Sequence, residues 1–203
     1  MKSLSFAADG SLMSGGEGGV YRWDLASGER IRICGEPGGW GLVESSGSGR
    51  SVIAGCQRQT ADVLVVDPLT GVQRRISSHG DTVSAVAIDA RGERIATGNL
   101  DGAVRVGWAS GEEPHLLLHH RELVGEVEFS PDGKWLASAS GAEILLWPMP
   151  DLSKPPLHTL PHDELIAKLK TLTNLRAVRD PASSTGWKVE IGPFPGWRDV
   201  PTW

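Results

Sequence analysis

Val124 to Trp147 reads VGEVEFSPDGKWLASASGAEILLW, and this stretch decides the fold. Val127 and Phe129 alternate with Glu126 and Glu128, the two-residue period of a strand with one face in a core. Pro131-Asp132-Gly133 is turn chemistry, because proline fixes φ and glycine accepts a positive one. Trp135 to Ser140 follows as a strand of small and apolar residues. Glu143 to Trp147 is apolar on both faces, as a strand sandwiched between layers must be. Three strands this short cannot bury their own faces, so the unit needs neighbours.

The neighbours lie upstream. Asp9-Gly10, Ser48-Gly49, Arg91-Gly92 and Asp132-Gly133 each separate two extended apolar segments, and their glycines stand 39, 43 and 41 residues apart. Trp23, Val66, Gly107 and Trp147 occupy the same place in the third strand of each unit, at steps of 43, 41 and 40. Unit three spells out VSAVAID, RIATGN, AVRVGW and HLLLHH, and its Asp101-Gly102 pair is a hairpin signal. The chain therefore reads as all-β: about four units of four strands, near residues 1–35, 36–77, 78–119 and 120–161. Leu157–Leu160 is the expected outer strand of the last.

FSPDGKWLASAS with ILLW, IDARGERIATGNLDGAVRV and FAADGSLMSGGEGGVYRWDL resemble the WD40 repeat. The period and the four strands per unit fit a propeller blade of that family. The resemblance covers about residues 1–161 and implies a partial WD40-type β-propeller. It also implies a hydrogen-bonded set of His, Ser or Thr, Asp and Trp in each blade. Unit three offers His79, Thr97 and Asp101, with Gly107 in the Trp place and Trp108 one residue late. Units one and four keep Trp23 and Trp147 but replace the Asp with Glu17 or a shortened turn. No unit is expected to carry the whole set.

Four blades make an arc, not a ring, and leave the outer faces of blades one and four bare. Three ring-completing partners remain open: N-terminal blades of a longer chain, a second copy, or another polypeptide. Residues 162–203 form an appendage. A helix opens at His162-Asp163-Glu164-Leu165 with Asp163 as N-cap. Strands then span Leu175 to Arg179 and Trp187 to Ile191, and the tail is tryptophan-rich. This stretch resembles the C-terminus of WD40 regions in bacterial multidomain signalling proteins, serine/threonine kinases among them.

Composition excludes several classes. A net charge of −5 gives no basic groove for nucleic acid, and no apolar run reaches membrane-spanning length. Cys34 and Cys56, the two cysteines, read as small buried hydrophobes rather than a redox pair. On a strand His115 and His119 share a face while His120 takes the other, so they are not a metal cluster. The Asp-Gly turns lack the alternating carboxylates of a calcium loop. No cofactor is expected, and the location is read as cytoplasmic. The leading function is a non-catalytic scaffold that binds other proteins. Trp40, Arg58, Trp108, Arg121, Trp187, Trp197 and Trp203 are the candidate contacts. The rival is a propeller enzyme with Asp81 and Glu122 facing each other across a central channel.

Overall fold

The computed structural model describes residues 3–34, 40–47, 52–57, 62–67, 70–80, 83–172, 175–182 and 186–191. The chain divides into two compact units, Met1–Pro156 and Leu157–Trp203. In the first, strands follow one another as antiparallel neighbours. Blade one is β1 (Ser3–Phe6), β2 (Leu12–Gly16), β3 (Gly19–Trp23) and β4 (Arg30–Cys34). Blade two is β5 (Trp40–Ser45), β6 (Val52–Gln57), β7 (Asp62–Val66) and β8 (Gln73–Ile76). Blade three is β9 (Val83–Ile88), β10 (Arg94–Asn99), β11 (Ala103–Trp108) and β12 (His115–Leu118). Blade four is β13 (Glu126–Phe129), β14 (Trp135–Ser140) and β15 (Glu143–Pro148).

The repeating turns owe their shape to their residues. Gly10, Gly92 and Gly133 hold positive φ, and their N–H groups donate to Ala7, Asp89 and Ser130 three residues back. The Ser48-Gly49 turn lies outside the described residues. Blade four stops at three strands, against the expected four: Leu157–Thr159 is a 3-10 helix. Pro155 and Pro156 just before it have no N–H to give a ladder.

The core lies at the seams between blades. Met13 and Val20 of blade one meet Val43, Leu64 and Val66 of blade two. Val63 and Ile76 meet Val83, Val86, Ile88 and Ile95 of blade three. Ala87, Val104 and Val106 meet Val127, Phe129 and Leu136 of blade four. At the first seam the backbones nearly touch. A Cβ added to Gly15 would lie 2.5 Å from the carbonyl oxygen of Gly41, and one added to Gly41 would lie 2.5 Å from the carbonyl carbon of Gly19.

Polar stitches join the innermost strands. Val43 N–H donates to Ser3 Oγ at 2.9 Å and Ser45 N–H to Ser5 Oγ at 3.0 Å. Ile88 N–H donates to the Glu44 carboxylate. Ser84 Oγ donates to Val124 O at 2.6 Å.

The sheets do not close on themselves, and register shows what that leaves uncovered. Leu4, Val43, Val86 and Val127 are equivalent, lying opposite Ser14, Ala54, Thr97 and Ser138 of the second strands. Val43, Val86 and Val127 are buried by the preceding blade, whereas Leu4 is 51% exposed and Phe6, two residues on, 65%. At the other end Ile144 and Leu146 are 72% and 67% exposed. Their equivalents in blade three, Val104 and Val106, are fully buried under blade four.

In the second unit α1 spans His162–Leu172, and β16 (Leu175–Arg179) pairs antiparallel with β17 (Trp187–Ile191). The helix opens at His162, but its cap lies two residues earlier than expected. Leu165 N–H donates to Pro161 O, so Pro161 is the cap and Asp163 sits in the first turn, where its charge favours the helix N-terminus. Among the described residues no helix is long and apolar enough to cross a membrane. Cys34 is disulfide-bonded, which corrects its reading as a free buried thiol; Cys56 is the one other cysteine in the sequence.

Candidate interaction surface

The polar sets inside the blades hold the platform rigid. In blade four His120 Nε2 lies 2.7 Å from Ser138 Oγ, which also accepts from Trp147 Nε1 at 2.7 Å. His120 Nδ1 lies 2.9 Å from Glu143 Oε2. Blade four thus carries a whole set with Glu143 in the acid place, contrary to the expectation that none would. A signal for it is in the spacing: His120 precedes Ser138 by 18 residues, as His79 precedes Thr97. His120 belongs to this set, while His115 Nε2 lies 3.1 Å from Lys154 O. Among the described residues no three His, Cys, Asp or Glu side chains gather to hold a metal.

The other blades keep parts. In blade one Trp23 Nε1 donates to Ser14 Oγ at 2.8 Å, and Arg30 lies over the rings of Tyr21 and Trp23 at 4.6 and 5.3 Å. In blade three His79 Nδ1 is 3.0 Å from Thr97 Oγ1. Asp101 stays in its turn, accepting from Ala103 N–H at 3.0 Å. Gly107 leaves no indole, and Pro114 fills the gap, 3.2 Å from where a Cβ would be. His79 Nε2, Asn99 Oδ1 and Arg105 Nη1 are buried without hydrogen-bond partners. Burial, and then the charge of Arg105, pull His79 down to about 3, so its ring is neutral.

On β5, burial and then the charges of Glu126 and Glu128 push the Glu44 carboxyl up to about 7, with Ile88 N–H pulling the other way. Burial and Glu128 also raise Glu126. Asp81, half of the suggested enzyme pair, lies outside the described residues. Glu122 offers its carbonyl to Ser140 Oγ at 3.1 Å.

A concave feature lies elsewhere, between β7 and β8 of blade two and the Gly92-Glu93 turn and far end of β11 of blade three. It is an open groove of about 760 Å³ lined by Val72, Arg74, Asp67, Glu93, Trp108 and neighbours. Arg74 Nη1 donates to Ser110 O at 3.3 Å across it. Trp108 forms a wall, fixed by its Nε1 donating to Leu152 O at 3.2 Å. The one-residue offset from Gly107 is what turns this indole out of the blade seam. Arg121 is exposed between β12 and β13. In the second unit Trp187 is exposed with Arg179 5.3 Å over its ring. Arg58, Trp197, Trp203 and the side chain of Trp40 lie outside the described residues.

Residues 71–106 and 111–147 match the family described as WD domain, G-beta repeat. Each match takes the last strand of one blade and the first three of the next. Intraflagellar transport protein 122 homolog of Homo sapiens is 32% identical over 112 residues, 55% of this chain and 8% of that protein. Small ribosomal subunit protein RACK1 of Caenorhabditis elegans is 31% identical over 74 residues, 36% of this chain and 22% of that one. The chain therefore spans less than a quarter of either relative. Among solved structures, a chain of the mitotic checkpoint complex superposes with a TM-score of 0.60 at 19% identity, covering 73% of this chain and 46% of its own. That likeness speaks to the fold alone. Residues 71–106 and 111–147 are thus similar to WD40 repeats, and the four-stranded layout they share with blades one and two is that of propeller blades.

Proposed function

We propose that the chain is a non-catalytic scaffold that binds another protein through the groove beside Trp108. The observation that carries this reading is a concave surface with a fixed indole, a cation and two carboxylates, mounted on rigid strands. Tryptophan supplies contact area at small entropic cost and arginine a planar cation, and the flanking Asp67 and Glu93 favour a partner segment with basic and apolar residues. The repeat positions Trp23, Trp147, His79 and Thr97 hold blades together and Asp101 shapes a turn; none of them is proposed to touch the partner. Arg121 lies by Gly102, at the far end of β11 from Trp108, and supplies a contact outside the groove; Trp187 and the tryptophan-rich tail of residues 162–203 supply a further, separate docking element. The setting we propose is a bacterial signalling protein, on the resemblance of that tail. Affinity capture with the wild type, Trp108→Ala and Arg74→Glu tests the reading. A discrete partner should be retained by the wild type and lost from both variants. Equal recovery on all three baits would overturn the assignment of the groove.

A further inference from the structure

We propose that two copies of this chain join head to tail, blade four of each covering blade one of the other, so that eight blades close one ring. The inference rests on the propeller reading above and is independent of the groove. It starts from the repeat itself, which shows three times how one blade covers the next. At each seam, side chains on the trailing side of one innermost strand meet the backbone edge and apolar residues of the strand that follows. Ser3 and Ser5 receive the N–H groups of Val43 and Ser45, and Glu44 receives that of Ile88.

In blade four the positions of Ser3 and Ser5 are held by Glu126 and Glu128. Among the described residues no following blade meets these acceptors. In blade one the positions of Val43 and Ser45 are held by Leu4 and Phe6, whose N–H edge meets no blade among the described residues. The loose acceptors of one end match the loose donors of the other. The apolar residues match as well: Ile144 and Leu146 stand where Val104 and Val106 press on Val127 and Phe129, and Leu4 and Phe6 stand where Val127 and Phe129 receive them. Charge agrees. Arg30 and Arg32 lie opposite Trp23 and Tyr21 on the leading face, while Glu126 and Glu128 mark the trailing face, so unlike ends attract and like ends repel. Two such seams related by one two-fold axis along the channel close the assembly, and eight blades lie within the range in which propellers close.

Light scattering across about 5 to 200 µM checks the mass. The expected value is twice the 21.7 kDa of one chain. A tail variant, Ile144→Asp with Leu146→Asp, and a head variant, Leu4→Asp with Phe6→Asp, should each raise the dissociation constant at least about 100-fold. All four residues are exposed in a single copy, so circular dichroism and the melting temperature of each variant at monomer concentration should match the wild type. Mixing the two variants should restore a dimer, because one intact tail then meets one intact head. A wild type that stays monomeric would overturn the proposal, as would a dimer that survives in either variant alone. A longer chain whose additional N-terminal blade protects Leu4 and Phe6 would also overturn it, by supplying another occupant. None of these outcomes touches partner capture at Trp108.

Discussion

Ser138 shows how much one hydroxyl can hold. It serves His120 and Trp147 at once in a buried set, whereas Ser14 serves Trp23 alone in a half-buried one. Ser138→Ala should cost about 2–4 kcal/mol and Ser14→Ala about 1 kcal/mol, read as urea midpoints at unchanged slope. Equal losses would show that the two sets are energetically alike. Two titrating residues give a second prediction. Glu44 holds its proton to about pH 7 when folded against 4.5 ordinarily, so its contribution is complete below 4.5 and is lost as pH rises through 7. His79 protonates near 3 when folded against 6.5 ordinarily, so its contribution is complete above 6.5 and is lost as pH falls from there toward 3. Between 4.5 and 6.5 the two slopes oppose each other. Glu44→Gln should leave stability rising with pH across that window, and His79→Gln should leave it falling. Identical pH profiles for both variants and the wild type would contradict the assignment. The histidine and serine of blade four were legible in the sequence by spacing. Glu143 was not, because a carboxylate one carbon longer, placed after a shortened turn, reaches the imidazole only once β14 and β15 are paired.

Among elements, the first seam depends on the absence of side chains. Gly41 packs on backbone atoms of Gly19, which cannot swing away as a side-chain tip can. Gly41→Ala should therefore cost about 2–3 kcal/mol. Gly28, with φ +74° and open space around it, should cost about 1 kcal/mol as alanine, from backbone strain alone. Thermal melts of the two variants compare them directly, and equal shifts would show that blade-to-blade contact adds nothing. Strands were readable wherever alternation met a glycine turn, as in β9 to β11 and β13 to β15. The fourth strand of blade four was misread because Leu157–Leu160 has strand-like composition, while the two prolines that deny it a ladder precede it and affect only the neighbouring backbone. The groove was invisible for a different reason. Its walls come from positions about 35 residues apart, Arg74 and Ser110 among them, and no local pattern brings those together.

For the molecule as a whole, the count of four units followed from period alone, and the bare ends followed from the count. The redox state did not: two cysteines 22 residues apart carry no pairing signal without the curvature that places blade edges. With Cys34 in a disulfide, thiol titration of the unfolded, unreduced chain should find no reactive sulfhydryl, and reduction should release two. A free thiol before reduction would contradict this. The offset between matched repeats and blades has a mechanical consequence. Because residues 71–106 and 111–147 each run from the rim of one blade to the interior of the next, the covalent thread leaves every blade at its periphery and enters its neighbour at the hub. Once reduced and pulled from its two ends, such a chain peels sheet by sheet. A force trace should show a sawtooth whose teeth each release about 140 Å of slack, the extended length of about 40 residues. The three-stranded sheet, with the shortest grip, should give way first.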